Sequence, residues 1–127
     1  MSVVAPNIPA MYELHFAAPM SGAIFHTINI RFDARTISVL LLHSESKLVF
    51  VDCLSRALIL EAISFFPPHI KPPLLILITD DQVSPSPDTV RFHDTYESMV
   101  EKGDPKFKWV RPENEWDPMI LNYTSGT

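Results

Sequence analysis

A single cysteine, Cys53, leaves this chain of 127 residues no intrachain disulfide and no second thiol with which to share a metal. Thiol usage of that kind fits a reducing compartment, and Cys53 reads as a small, partly buried residue after a strand rather than a nucleophile. Basic runs are also missing. Ten Lys and Arg stand against 15 Asp and Glu, for a formal net charge of −5. The clustered cations that neutralise a phosphate backbone are therefore absent, which excludes DNA and RNA as expected partners. No apolar run approaches the roughly 20 residues that span a bilayer. Met1-Ser-Val-Val lacks the basic flank and long apolar region of a secretory leader, so a soluble protein is expected. There is no internal repeat, and the only biased segment is the proline- and serine-rich stretch from Gln82 to Asp88. What is present is apolar: hydrophobic residues make up 46% of the chain, enough for one modest domain, or one piece of one, and not for two.

Strands and helices alternate. Val3 to Ala5 reads as a short strand, followed by Asn7 as the cap of a helix that accepts Pro9 in its first turn. Met11, Leu14, Ala18 and Gly22 fall on one face of that helix, and Pro19 is expected to kink or split it. Ile24 to Ile30 reads as a strand with His26, Thr27 and Asn29 as its polar members. Asp33 then offers a cap to a helix whose apolar face is Ile37, Leu40 and Leu41. Lys47 to Asp52 and Leu74 to Thr79 are nearly continuous apolar strands, as expected where a parallel sheet is covered on both faces. Between them a helix places Leu54, Ala57, Leu58, Ala62 and Phe65 on one face, with Ile59, Leu60 and Ile63 making the other apolar too, so it requires cover on several sides. Asp94-Thr-Tyr-Glu97 has capping-box character ahead of a short helix that stops at Gly103. Val110 and the neighbouring aromatics read as a short strand against the core. The predicted class is α/β, a mainly parallel sheet with helices on both faces and ligands bound beyond the carboxyl ends of the strands.

Several residue groups offer chemistry and have a plainer reading beside it. His15 has no carboxylate or cysteine at metal-ligand spacing and reads as structural. Arg31 and Arg35 flank the turn at Asp33 and read first as a local charge cluster, with anion binding the alternative. Asp80 and Asp81, at the end of a strand, suit Mg²⁺ or a solvated turn. Lys106, Lys108 and Arg111 surround Phe107 and Trp109, a pattern able to stack on a ring. The most informative stretch is Met119-Ile-Leu-Asn-Tyr-Thr-Ser-Gly-Thr127. Met119 to Tyr123 alternates as a short buried strand, and Thr124, Ser125, Gly126 and Thr127 supply hydroxyls and a pliable backbone suited to phosphate oxygens.

That strand and loop resemble the phosphate loop of the adenylate-forming superfamily of acyl-CoA synthetases. The resemblance extends through Val4 to Phe16, Thr27 to Arg35 and Leu42 to Asp52, which look like plant acyl-activating enzymes; Phe65 to Val90 does not align. The resemblance implies that the chain is part of the large N-terminal domain, residues 1–127, ending inside the phosphate loop. It implies a carboxylic or fatty acid, ATP with Mg²⁺, and coenzyme A as family substrates and cofactors. Acyl-adenylate forms first and the CoA thiol then displaces AMP. Only Thr124, Ser125, Gly126 and Thr127 match the family's nucleotide-binding positions. The family's adenine-contacting aromatic, ribose-binding acid, metal-binding glutamate and mobile lysine all lie downstream of that loop. No catalytic residue or metal ligand is assigned within the chain, and no unaided acyl activation is expected. The alternative is a non-catalytic α/β module that pairs with a full-length relative. Cytoplasm or peroxisome is implied by the resemblance alone, because Ser46-Lys47-Leu48 is internal and is not read as a peroxisomal address.

Overall fold

The computed structural model describes residues 1–79 and 92–124. Its elements are strand β1 (Ser2–Val4), helix α1 (Pro9–Met20), strand β2 (Phe25–Thr27), helix α2 (Ala34–His43) and strand β3 (Leu48–Asp52). After a single 3₁₀ turn at Cys53–Ser55 come helix α3 (Arg56–Ser64), strand β4 (Leu74–Ile78), strand β5 (Asp94–Thr95), helix α4 (Tyr96–Glu101) and strand β6 (Ile120–Leu121). All strand pairs are parallel, in one six-stranded sheet of order β5-β4-β3-β1-β2-β6. The expected α/β class is borne out. The first strand stands at the centre. From β1 the chain winds to β2 on one side, and from β3 it winds to β4 on the other.

Alternation along β1 explains the two layers. Val3 faces one cluster, which holds Ala10, Met11, Leu14 and Ala18 of α1 together with Phe25, Phe50 and Ile76. Val4 faces the other, with Ile37 and Leu41 of α2, Ile59 and Ala62 of α3, and Val49, Val51 and Leu75. Continuous apolar strands are required because both faces of β3 and β4 are covered in this way. Among the described residues, no helix is long and apolar enough to cross a membrane.

Local chemistry sets the boundaries, and several differ from the expected ones. The cap of α1 is Ile8, in extended conformation and without a side-chain cap bond, and not Asn7; Pro9 fills the first helical position, where a missing N–H costs nothing. Pro19 neither splits nor ends α1. It lies one residue from the helix end, where one forfeited N–H is tolerated. Gly22 falls outside the helical face. It adopts φ +77°, and a Cβ there would stand 2.9 Å from a methyl of Val110, so glycine is required twice over. β2 is shorter than the Ile24–Ile30 reading, because the Asn29 side chain accepts from the Arg31 N–H and the Phe32 N–H bonds the Asn29 carbonyl, turning the chain.

Asp33 caps α2 as expected, accepting from the Thr36 N–H at 2.7 Å. In α3 the buried residues are Ile59 and Ala62, while Leu54 is 86% exposed and Ala57 is also exposed. The 3₁₀ turn, capped by Asp52, rotates Leu54 away from the helical stripe that the spacing suggested. The cap of α4 is Thr95, accepting from the Ser98 N–H, and not Asp94, which pairs instead with Lys102 at 2.8 Å. No strand forms around Val110. Its N–H bonds the Met20 carbonyl, while Phe107 and Trp109 stay exposed beside it. β6 has two residues rather than the five of Met119 to Tyr123, one exposed and one partly buried, and among the described residues it has a single strand neighbour.

Candidate functional site

At the carboxyl ends of β1, β2 and β6 lies an open cavity of about 760 Å³, lined by residues that include His15, Asn29, Asn122, Tyr123 and Thr124. Parallel α/β sheets present ligand sites at this edge. β6 brings Thr124 there by pairing in register with β2, Phe25 opposite Ile120 and His26 opposite Leu121. Thr124 is exposed and free to face a ligand. Ser125, Gly126 and Thr127 lie outside the described residues, as do Asp80 and Asp81. Of the four loop positions read from the sequence, the structure therefore places one, Thr124, on the wall of a cavity.

The residues behind Thr124 carry most of the local order. The Tyr123 hydroxyl and His43 Nδ1 are 2.6 Å apart, and the Tyr123 ring lies 5.1 Å from that of His26. His26 is buried, and its Nδ1 shares a 2.9 Å hydrogen bond with Ser2 Oγ. Ser2 bonds Ser46 in turn, and Ser46 bonds Ser44 at 2.8 Å. Burial, helped by the nearby chain amino group, pulls the His26 imidazole down to about 4, so it is neutral near pH 7. Its Nε2 has no hydrogen-bond partner among the described residues. The sequence marked His26 only as a polar member of a strand. His43 and Tyr123 carried no local signal at all, because the bond joining them spans 80 residues.

Other candidates resolve into structural roles. His15 Nδ1 bonds the Met11 carbonyl at 2.7 Å and its ring meets the edge of Phe25. The Asp33 carboxyl is held below its ordinary range first by the Thr36 N–H and then, more weakly, by Arg35. Arg35 itself lies over the Phe65 ring at 5.0 Å. Among the described residues no ion pair joins Asp33 to Arg31 or Arg35, so the turn is held by the Asp33 cap rather than by a charge cluster. Arg111 sits over Trp109 at 5.1 Å, beside a shallow groove formed with Met20, Phe107 and Lys108.

On the other half of the sheet edge, a groove holds Glu13, Asp52, Thr79, Tyr96 and Glu97. Its polar groups satisfy one another. The Tyr96 hydroxyl donates to Glu13, the Thr79 hydroxyl donates to Glu97 at 2.7 Å, and Asp52 accepts from the Leu54 N–H at 3.0 Å. Burial, with Glu13 alongside, pushes the Tyr96 phenol above its ordinary range. Among the described residues, no group of three or more His, Cys, Asp and Glu is placed to hold a metal ion.

Comparison with known proteins connects this chain to a family. The model of the AMP-binding enzyme family matches residues 1–127. The chain is 58% identical over 129 residues to the 2-methylpropanoate–CoA ligase CCL4 of Humulus lupulus, covering all of this chain and 23% of that protein. It is also 58% identical over 127 residues to the Arabidopsis thaliana protein named "Probable acyl-activating enzyme 10", again over the whole chain and 23% of the relative. An acyl-CoA synthetase from Brucella canis superposes with a TM-score of 0.76 over 99% of this chain and 21% of its own, at 20% identity, which carries the fold alone. The chain thus spans about a quarter of the length of the relatives it matches. The family model's match over all 127 residues, on an all-parallel sheet, places this chain in the AMP-binding enzyme family.

Proposed function

We propose that the chain is the part of an ATP-dependent carboxylic acid–CoA ligase that builds the central parallel sheet and opens the phosphate loop, and that it does not activate acids unaided. The observation that carries this reading is Thr124 on the wall of a cavity at the carboxyl ends of the strands. In the full reaction a carboxylate oxygen attacks the α-phosphorus of ATP and pyrophosphate leaves. The CoA thiol then attacks the acyl carbon of the acyl-adenylate, and AMP departs. Within that scheme Thr124, Ser125, Gly126 and Thr127 supply hydroxyls and N–H groups to the phosphate oxygens. Donors of this kind work together with cations aimed at the leaving group, and losing one typically costs about 3–4 kcal/mol of transition-state stabilisation. The described residues offer Mg²⁺ no ligand cluster, so no step through the metal is assigned to them. The similarity to a 2-methylpropanoate–CoA ligase favours a small branched carboxylic acid as the substrate of the complete protein.

Two assays test this. In calorimetry with Mg-ATP, the chain is expected to bind and Thr124→Ala with Ser125→Ala to abolish binding, while circular dichroism stays unchanged. Pyrophosphate release with 2-methylpropanoate and CoA is expected to stay at background. Turnover by the isolated chain would sink the inactive-alone reading, and absence of ATP binding by a folded chain would sink the phosphate-loop reading. A second reading, a module that pairs with a full-length relative, is favoured by one observation: the exposed aromatic run of Phe107, Trp109 and Trp116.

A further inference from the structure

β6 is a weak support for the loop it carries. It has two residues, Ile120 exposed and Leu121 partly buried, and among the described residues one strand neighbour, with a register of two pairs with β2. An edge strand that short opens readily by itself. Yet Thr124 must be held at one place if its hydroxyl is to meet a ligand.

We propose that Tyr123 is a positioning residue, a latch that fixes β6 and the start of the Thr124 loop by fastening them to the end of α2 and to the buried polar chain beneath the sheet. Three contacts make the latch. The Tyr123 hydroxyl bonds His43 Nδ1 at 2.6 Å, its ring packs edge-on to His43 at 5.7 Å, and the same ring lies tilted against His26 at 5.1 Å. The anchors are firm. His43 is the last residue of α2, whose Leu41 is buried in the core, and the next residue, Ser44, bonds back to the Leu40 carbonyl. His26 is fully paired in the sheet, its own N–H reaching the Met1 carbonyl, while Ser2, Ser46 and Ser44 hold its ring side. A single side chain, adjacent in sequence to Thr124, thereby joins the edge strand to β1, β2 and α2. The value of this latch for nucleotide binding rests on the reading proposed above; the latch itself does not.

Amide hydrogen exchange on the whole 127-residue chain tests it, because β2 carries its own internal control. The Phe25 N–H bonds the Met119 carbonyl and reports the attachment of β6, whereas the His26 and Ile28 N–H groups bond Met1 and Val3 on the β1 side. Tyr123→Phe keeps the ring and removes the hydroxyl; His43→Leu removes the acceptor or donor it meets. Each is expected to speed exchange at Phe25 by about two- to tenfold, the range for one net hydrogen bond. His26 and Ile28 should be unchanged. The double variant is expected to exchange no faster than either single one, the signature of one shared interaction. His43→Asn, whose side-chain carbonyl takes the place of Nδ1, should restore part of the protection.

Unchanged exchange at Phe25, additive single effects, or an equal rise at all three amides would overturn the latch; the last is general loosening. Mg-ATP titration of the same variants separates the two readings. If the unaltered chain binds no ATP the phosphate-loop reading fails, and exchange at Phe25 still decides the latch.

Discussion

The first 79 residues and the last 33 described residues are built on different terms. In the first region each strand buries its alternate side chains under a helix: Val3, Phe50 and Ile76 under α1, Val4, Val49 and Leu75 under α2 and α3. In the second, α4 has no buried residue, β5 and β6 have two residues each, and Phe107, Trp109 and Trp116 face outward. Yet the candidate ligand position, Thr124, belongs to the second region. The scaffold fixes where the carboxyl edge of the sheet lies, and the poorly covered tail brings Thr124 to it. Such a division is common where a rigid sheet presents a loop. Here it leaves Thr124 next to a strand of two residues.

The comparison breaks most sharply at Phe25 and Ile120, which stand opposite one another in β2 and β6. Phe25 is fully buried and Ile120 is 44% exposed. Phe25→Ala leaves a cavity against α1 and is expected to cost about 3–5 kcal/mol, a large share of the roughly 5–15 kcal/mol that holds a domain folded. Ile120→Ala, from the same rung, should cost only about 1 kcal/mol, since nearly half of its surface is already wet. Urea unfolding followed by circular dichroism measures both. Near-equal losses would mean that β6 is as much a part of the core as β2.

A second, intermediate effect concerns His26, which joins the two regions through Tyr123. Its folded value is pulled down to about 4, from an ordinary 6.5, chiefly by burial. Between those values the unfolded chain binds the proton and the folded chain does not. Protonation therefore favours unfolding, and stability rises with pH across the window. The contribution is complete above about pH 6.5 and is lost as pH falls toward 4, with a slope of up to about 1.4 kcal/mol per pH unit. Asp94, held down to about 2 first by its hydrogen bond from Lys102, titrates below this window and does not mimic it. His26→Gln is expected to flatten the stability profile between pH 4.5 and 6.5 by roughly that slope. An unchanged profile would show that the buried imidazole is not the group responsible.

How far the sequence reached follows the same division. Where burial dictates pattern, it was readable: the nearly continuous apolar runs Lys47 to Asp52 and Leu74 to Thr79 became strands of a sheet covered on both faces, and Asp33 capped its helix. Local bonding competed with pattern elsewhere. Asp94 looked like a cap and is a partner of Lys102, while Thr95 next to it takes the cap. Leu54 matched a helical stripe that the intervening 3₁₀ turn rotates into solvent. In the tail, Val110 reads as strand by composition, but its N–H bonds the Met20 carbonyl and its side chain lies against Gly22. The site divides likewise. Thr124 was legible as part of a hydroxyl-rich run, whereas His43 and His26 became its supports only through topology, by contacts that no sequence window contains.

The smallest expected effect on stability is also the one that separates the two functional readings. Trp116 is 86% exposed, in a segment held by local bonds in which Asp117 accepts from the Glu113 and Asn114 N–H groups. None of those bonds uses the indole, so Trp116→Ser should change folding stability by no more than about 0.5 kcal/mol. Exposed aromatics nevertheless dominate association wherever a partner covers them. If the tail is a pairing surface, sedimentation of the chain mixed with a full-length relative should show a complex that Trp116→Ser weakens at least about tenfold, with the melting curve unmoved. If the mixture sediments as separate species at every concentration, the exposed aromatic run is not a surface for that partner, and the pairing reading loses the one observation that favours it.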